Sequence, residues 1–328
     1  MRRIALFVAV LAFPAAAFAQ QTAATSSAQS YPNRPVRLVI PWPPGQATDL
    51  AGRVVALKLS ELWGQQVVAD NRAGAGGMIG TDVVAKATSD GYTLLAASSG
   101  PVTINPLLQK APYVVDRDLA PVANVGLSPY VLVTNPQFPA ANAKEFIALV
   151  KASPGKYSFA SSGTGATAHL VAEWFNRLCG LQVTHVPYKG SSPALTDVIG
   201  GQIAYALETA AATMPHVRSG RLKAYGVSLA RGSALTPGIE PLATVANLPG
   251  FDVGAWIGVM VPAGTPKLIV NRIAAAVGTA MQSAEVRERI AGIGVEVDYR
   301  PVGEFAPYLK EQQARFADII AKGNIRLE

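Results

Sequence analysis

Cysteine and histidine are scarce in this chain of 328 residues, which has one cysteine, Cys179, and three histidines. A lone cysteine cannot form an internal disulfide, and its apolar surroundings in the sequence favour a buried small side chain. His169, His185 and His216 are not spaced as a metal-binding set, and no cluster of cysteines or carboxylates supplements them. A Gly-x-Ser-x-Gly elbow is also lacking. We therefore predict neither a metal centre nor a hydrolase triad.

Charge and long apolar runs are limited as well. Charged residues make up 15% of the chain, and the Lys and Arg behind its net charge of +7 are scattered. Because no basic stripe is formed, nucleic acid is not an expected partner. Beyond the N-terminus, no run reaches the roughly 18 apolar residues of a spanning helix.

The N-terminus has the three parts of a secretory signal peptide. Arg2 and Arg3 supply positive charge, residues 4–13 form an apolar core, and Ala17-Phe18-Ala19 is a cleavage site of small residues. We predict a signal peptide over residues 1–19 and a disordered polar linker over residues 20–30. The mature protein is therefore expected to be exported.

Short apolar runs rich in β-formers alternate with segments of helical period along most of the chain. This alternation is typical of βαβ units and predicts an α/β fold with mainly parallel sheets. We expect a first lobe over residues 31–131, a second over 132–254, and a return to the first lobe with the C-terminal helices over 255–328. The predicted strands cover residues 36–41, 66–69, 92–97, 157–161, 183–186, 203–207, 222–228 and 256–261. The predicted helices cover residues 50–63, 78–87, 143–151, 166–179, 193–199, 211–219, 265–281, 284–291 and 302–321.

Two segments, residues 38–49 and 158–167, share one design: an apolar strand, a polar turn containing glycine, and an amphipathic helix. A helix start leaves backbone N–H groups unpaired and carries partial positive charge, so each turn is a candidate seat for a carboxylate or phosphate. With one seat in each lobe, the pair would form a clamp. The alternative is that the glycines only make tight turns and that Thr48, Asp49 or Thr167 only caps a helix.

Gly163-x-Gly165-x-x-Ala168 also satisfies a dinucleotide-binding fingerprint after a strand. The next predicted strand, however, runs into Pro187-Tyr188-Lys189 and offers no acidic residue to hold a ribose. A nicotinamide enzyme is therefore the weaker interpretation of this loop.

Three bulky side chains near these loops have two interpretations each. Trp42 and Trp256 are either cleft walls or core aromatics. His169, in the first turn of the helix after the second loop, either hydrogen-bonds an anion or caps and packs.

Ordered motifs extend along almost the whole chain. They read Tyr31-Pro-x-Arg-Pro-Val-Arg-Leu-Val-Ile-Pro, Pro44-Gly45 with Asp49, Gly64-Gln65, Asn71-Arg72-x-Gly74-Ala-Gly-Gly77-x-Ile-Gly80, Asp90-Gly91-Tyr-Thr-Leu, Gly165 with His169-Leu170, Val186-Pro187-Tyr188-Lys189-Gly190, Gly200-Gly201-Gln202, Pro215-His216, Gly220-Arg-Leu and Pro262-Ala-Gly-Thr-Pro266. In these motifs the chain resembles the substrate-binding receptors of tripartite tricarboxylate transporters, the Bug family.

The resemblance implies a two-lobed, type II-like periplasmic binding protein with two crossover connections and a ligand in the hinge cleft. It implies a monomeric receptor, not an enzyme, that needs no cofactor. Such a receptor captures a di- or tricarboxylate, an acidic amino acid or an aromatic acid in the periplasm and delivers it to integral-membrane transporter subunits. The alternatives are an exported dinucleotide-dependent enzyme and a sensory or scaffold binding protein without a role in transport.

Carried over position by position, the resemblance also implies the ligand-binding residues. They are Trp42, Pro43, Pro44, Gly45, Gln46, Ala47, Thr48 and Asp49 in the first loop, Ser162, Gly163, Thr164, Gly165, Ala166, Thr167 and His169 in the second, and Ser98, Ser99, Tyr188, Lys189, Glu208 and Trp256 as further walls. Two positions depart from the family pattern. Gln46 stands where the first loop usually has a second glycine, and Glu208 stands where an aspartate is more common.

Overall fold

The structure is a computed structural model that describes residues 31–323. The predicted signal peptide (1–19) and linker (20–30) lie outside these residues. Within the described part of the chain, no helix is long and apolar enough to cross a membrane.

Strands and helices alternate as the sequence predicts, which confirms the α/β class. The strands are β1 Val36–Ile40, β2 Val67–Asn71, β3 Thr93–Ser98, β4 Leu119–Thr134, β5 Ser158–Ser161, β6 Thr184–Pro187, β7 Tyr205–Thr209, β8 Lys223–Val227, β9 Gly254–Pro262 and β10 Glu296–Pro301. The α-helices are α1 Ala47–Trp63, α2 Met78–Ala85, α3 Asn105–Leu108, α4 Val115–Asp118, α5 Ala143–Lys151, α6 Thr167–Cys179, α7 Ser191–Ile199, α8 Ala210–Arg218, α9 Leu242–Val245, α10 Lys267–Gln282, α11 Ala284–Gly292 and α12 Val302–Gly323.

Local signals in the sequence account for several helix ends. At the start of α5, Asn142 Oδ1 accepts from the Glu145 N–H at 3.0 Å, while Glu145 Oε2 accepts from the Ala141 N–H at 2.7 Å. These reciprocal bonds satisfy the N–H of Glu145 in the first turn and the N–H of Ala141 just before the N-cap, which confirms the predicted cap. α1 ends at Gly64, whose φ of 60° is the left-handed conformation that glycine adopts without strain.

In the sheet of the first lobe, β1 lies between β2 and β3 and runs parallel to both. β9 then pairs antiparallel with β3, and the first part of β4 pairs antiparallel with both β9 and β10. In the second lobe β5 lies parallel to β6 and β7, and the last part of β4 pairs antiparallel with β7 and β8. The expectation of mainly parallel sheets therefore holds only among β1, β2 and β3 and among β5, β6 and β7, because every pair that involves β4 or β9 is antiparallel.

β4 is a buried strand of 16 residues that belongs to both sheets. Leu119 to Pro129 pair with β9, and Tyr130 to Thr134 pair with β7. The sequence analysis did not predict this strand, since proline and glycine inside it break the usual strand pattern. Its ladder with β9 shifts register at Pro121/Ala123 and again at Asn124/Gly126, so the irregular residues are accommodated at bulges.

α12 joins the two lobes at the C-terminal end of the described chain. Phe305 and Leu309 lie in a core with Trp256 of the first lobe, whereas Phe316 and Ile319 lie in a core of the second lobe. The last helix therefore contacts both lobes, and the predicted lobe bounds stay a prediction.

A close backbone contact between the lobes generates the first prediction. A Cβ added to Gly294, whose φ is +79°, would lie 2.5 Å from Ala211 Cα at the start of α8. Both the left-handed backbone and the collision with main-chain atoms disfavour a side chain here. We expect Gly294→Ala to lower the free energy of unfolding by at least about 2 kcal/mol in urea titrations.

Gly292→Ala is the matched control for that substitution. Gly292 is exposed at the end of α11, and an added Cβ would meet nothing within 4 Å. Its substitution should be neutral or stabilise the helix by up to about 1 kcal/mol. Equal stability of the two variants would show that the contact between Gly294 and Ala211 does not constrain the lobes.

Candidate functional site

A cleft separates the two lobes where the carboxyl ends of β1 and β3 face those of β5 and β7. This is the edge at which open α/β sheets place ligands, because loops and helix starts converge there. The cleft is lined by Trp42, Gln46, Ala47, Thr48, Ser98, Ser99, Tyr130, Ser162, Ala166, Thr167, Ala168, Ser191, Glu208, Thr209 and Ala255.

Four helices begin at this cleft, although the sequence analysis predicted only two such starts. α1 contributes Thr48, α6 contributes Thr167, α7 begins at Ser191, and Thr209 is the N-cap of α8. None of these four starts has a side-chain cap hydrogen bond. Their first-turn N–H groups and positive dipole ends are therefore directed toward the space between the lobes.

Asp49 stabilises the first loop through hydrogen bonds within the first lobe. Its carboxylate accepts from the Gly45 N–H at 2.9 Å, from Arg53 Nε at 2.9 Å and from Asn71 Nδ2 at 2.8 Å. The side chain is buried and does not line the cleft. These contacts all lie within the first lobe, and the ligand role that the resemblance implies for Asp49 stays a prediction.

Trp42 forms a wall of the cleft at the end of β1. Its Nε1 donates to Ser98 Oγ at 2.8 Å, which fixes the indole against the loop after β3. Ser98 acts as the acceptor in this bond, so its own hydroxyl proton remains available to a molecule in the cleft.

Two stacked histidines support the loop before α6. The rings of His169 and His185 lie 3.9 Å apart at 10°, and the Gly165 N–H donates to His169 Nδ1 at 3.3 Å. Burial lowers the pKa of His169 to about 3 and that of His185 to about 4. A neutral ring can accept the bond from Gly165, whereas a protonated ring cannot. His169 thus holds the loop and does not line the cleft.

Glu208 is the acidic residue in the cleft lining, and its side chain is buried. One carboxyl oxygen accepts from the Ser162 N–H at 2.9 Å, and the other accepts from Ser191 Oγ at 2.9 Å and from the Thr209 N–H at 3.2 Å. Burial raises the pKa of Glu208, while the hydrogen bonds from Ser162, Ser191 and Thr209 act in the opposite direction. The carboxyl group therefore connects three loops of the second lobe.

The two walls touch across the cleft. Ser99 Oγ lies 3.0 Å from Thr167 Oγ1, so the end of β3 is hydrogen-bonded to the start of α6. The Gln46 Nε2 atom is buried without a hydrogen-bond partner among the described residues, and it lies 3.5 Å from where a Cβ of Gly190 would stand. Gln46 thus brings an unused donor to the boundary between the lobes.

The proposed site residues separate into three groups by position. Those that line the cleft are Trp42, Gln46, Ala47, Thr48, Ser98, Ser99, Ser162, Ala166, Thr167 and Glu208. A wider outer pocket, which shares Trp42 and Ser162 with the cleft, is lined by Pro43, Gly163, Thr164, Tyr188 and Lys189. The residues that line neither are Pro44, Gly45, Asp49, Gly165, His169 and Trp256. Contact of any of these residues with a ligand stays a prediction.

Trp256 belongs to the hydrophobic core. It is fully buried and packs edge-on against Phe305 at 5.5 Å. Neighbouring residues on a strand face opposite sides, so Ala255, not Trp256, contributes to the cleft. Of its two interpretations, the structure places Trp256 as a core aromatic.

Sequence reasoning missed five residues of the lining. These are Tyr130, Ala168, Ser191, Thr209 and Ala255. Tyr130 lies on β4, which was not predicted at all. Thr209 and Ser191 were within reach, because the strand, polar turn and helix around each repeat the design used to find the two loops.

The family model described as "Tripartite tricarboxylate transporter family receptor" matches residues 51–325. The chain belongs to this receptor family. Protein BugT of Bordetella pertussis is 38% identical over 308 residues, which cover 93% of this chain and 94% of BugT. The predicted resemblance to the Bug family is confirmed.

Solved structures show the same fold. MatC from Rhodopseudomonas palustris, with bound malate, is 32% identical with a TM-score of 0.82, over 88% of this chain and 100% of MatC. A second R. palustris protein, Rpa4515 with adipate, is 29% identical with a TM-score of 0.86, over 90% of this chain and 99% of its own. The two-lobed periplasmic binding protein fold is thereby confirmed.

The raised pKa of Glu208 leads to a prediction about stability. A carboxyl group that holds its proton more tightly in the folded state stabilises the fold below its unfolded pKa, and this stabilisation is lost as the pH rises through the folded pKa. Glu208→Gln removes the titration. The melting temperature of Glu208→Gln minus that of the unmodified protein should therefore increase as the pH rises from about 4.5 to 8. Scanning calorimetry measures both temperatures.

Glu288→Gln, on the exposed face of α11, controls for the general loss of a carboxyl group. The decisive quantity is how the difference in melting temperature between variant and unmodified protein changes with pH. A difference that is the same at every pH reports only altered hydrogen bonds. A difference that stays the same for Glu208→Gln at every pH would contradict the prediction.

Proposed function

We propose that this member of the receptor family captures a small carboxylate in the cleft and delivers it from the periplasm to the membrane subunits of a tripartite tricarboxylate transporter. Its similarity to MatC, solved with malate, and to Rpa4515, solved with adipate, supports a carboxylate as the ligand class. As a receptor it binds and releases its ligand without chemical change.

The observation that carries this proposal is the convergence on one cleft of the uncapped starts of α1 and α6, beside the starts of α7 and α8 that face Glu208. Among the described residues that line it, none is Lys, Arg or His. An anion in this cleft is therefore held by backbone N–H groups, hydroxyls and helix ends, which suits the two acceptor oxygens of a carboxylate.

The dinucleotide-dependent enzyme is not favoured. The match to the receptor family includes the loop from Gly163 to Gly165. β6, the parallel neighbour of β5, leads into Tyr188 and Lys189 without an acidic residue. A ribose would lack the carboxylate that normally accepts from its hydroxyls.

The first test removes the negative charge of the ligand. A thermal-shift panel that includes malate and adipate identifies an acid that binds, because a ligand specific for the native state raises its stability. Calorimetric titration then compares that acid with its full amide. Hydrogen bonds to a charged group contribute about 1.5–3 kcal/mol each, so losing two should weaken binding by more than about a hundredfold.

Equal ionic strength in both titrations is the control, because screening alters charged interactions more than neutral ones. Binding of the amide within about threefold of the acid would overturn the anion clamp. The absence of any stabilising carboxylate from a broad panel would overturn the proposed function itself.

A second test concerns selectivity through Gln46. Its unused buried amide lies in the cleft lining, so we expect it to hydrogen-bond the preferred ligand. Gln46→Gly and Gln46→Ala should each lower the affinity for the preferred acid by about threefold to tenfold. The ratio of this affinity to the affinities for the other acids should also fall.

The alanine variant separates the loss of the amide from added backbone freedom, because the extended φ of −78° at Gln46 suits alanine. If both variants keep the parent's rank order and relative affinities across the panel, Gln46 does not select the ligand.

A further inference from the structure

Glu208 is an acidic group inside a cleft that we propose binds an acidic ligand. Its buried carboxyl group lies in the same lining as Thr48 and Thr167, at the starts of α1 and α6. Within the part of the chain that the structure describes, this lining contains no cationic side chain to balance two negative charges. A charged Glu208 and a charged ligand carboxylate therefore oppose each other in a site of low dielectric.

The surroundings of Glu208 stabilise one negative charge. Two backbone N–H groups, of Ser162 and Thr209, and the hydroxyl of Ser191 donate to its oxygens. The starts of α7 and α8 face Glu208 itself, because Ser191 opens α7 and Thr209 is the N-cap of α8. This leaves the starts of α1 and α6 to a ligand.

The titratable and charged groups around Glu208 offer no counter-charge. On β4, Tyr130 has its pKa raised by burial and by the charge of Glu208. Lys189, before α7, is exposed and lines the outer pocket, and Asp197 on α7 accepts from the Tyr188 hydroxyl. Behind the loop that contains Ser162, the two stacked histidines are held neutral by burial.

We propose that Glu208 takes up one proton from solvent when a carboxylate ligand enters the cleft, and that Ser191 then turns its own hydroxyl proton toward the ligand. The proposal rests on the proposed carboxylate-binding function. The proton bonds to the carboxyl oxygen that faces Ser191 Oγ, and the ligand stays ionised. No covalent bond between heavy atoms forms or breaks.

The hydrogen bonds permit this exchange without leaving Ser191 unpaired. The Glu208 oxygen bonded to Ser162 N stays an acceptor, while the protonated oxygen donates to Ser191 Oγ over the same 2.9 Å. A serine hydroxyl can accept one bond and donate another. Ser191 also lines the cleft, so its released proton can reach a ligand oxygen. One proton thus removes a repulsion and adds a donor.

The test is calorimetric titration with malate or adipate, whichever stabilises the protein, between about pH 6.5 and 9, where free carboxylates are fully ionised. Titrations in two buffers with different ionisation enthalpies count the protons bound. We expect uptake approaching one proton per ligand in part of this range. Because binding is linked to that proton, the affinity should fall by up to about tenfold per pH unit there.

Variants at Glu208 identify the group that titrates. Glu208→Gln imitates the protonated side chain, so proton uptake should vanish, and at pH 9 the variant should bind the anion more tightly than the parent. Glu208→Asp keeps a carboxyl group and should keep the linkage. Ser191→Ala should weaken binding at every pH without abolishing the uptake.

Binding without proton uptake over the whole pH range would overturn the proposal and leave the proposed function intact, as would uptake that persists in Glu208→Gln. Aspartate, which carries an ammonium group, provides a further check. Should it bind without proton uptake and lose binding in Glu208→Gln, Glu208 pairs with a ligand cation and the proposal is wrong. If no carboxylate binds the unmodified protein, the proposed function fails and the proposal fails with it.

Discussion

The shared strand β4 is the constraint on which the cleft depends. It pairs with β9 in one sheet and with β7 and β8 in the other, so a single stretch of backbone sets the spacing of the two lobes. Strand ends and helix starts from both sheets then face each other across a short distance. Four helix ends converge on one volume because this strand fixes both sheets, and not because any one loop has an unusual sequence.

Buried polar groups that do not face the cleft determine the shape of its loops. Asp49 fixes the turn before α1 through three donors, and His169 accepts from Gly165 in the turn before α6. Both are buried. Buried polar groups with satisfied partners make a loop rigid, and loops fixed before binding lose less conformational entropy when the ligand arrives. The cleft can therefore rely on neutral donors.

Glu208 belongs both to this internal framework and to the cleft lining. The proton uptake that we propose for this carboxyl group links the protonation of the protein to the charge of a ligand in the cleft. Under this proposal, the same residue affects both the stability of the empty receptor and its selectivity for a ligand. Neutral donors alone could not connect these two properties.

The sequence by itself determined the α/β alternation, most element bounds, the Asn142 cap and the two loops that resemble those of the family. These depend on local periodicity, capping and glycine positions, which neighbouring residues decide. Only the tertiary structure revealed β4, because its bulges conceal the strand pattern, and with it Tyr130 as part of the lining. It also showed that Ala255, and not Trp256, lines the cleft, and that Asp49 and His169 lie behind the lining. Which way a side chain faces depends on pairing between distant strands, and that information is absent from any local window of the sequence.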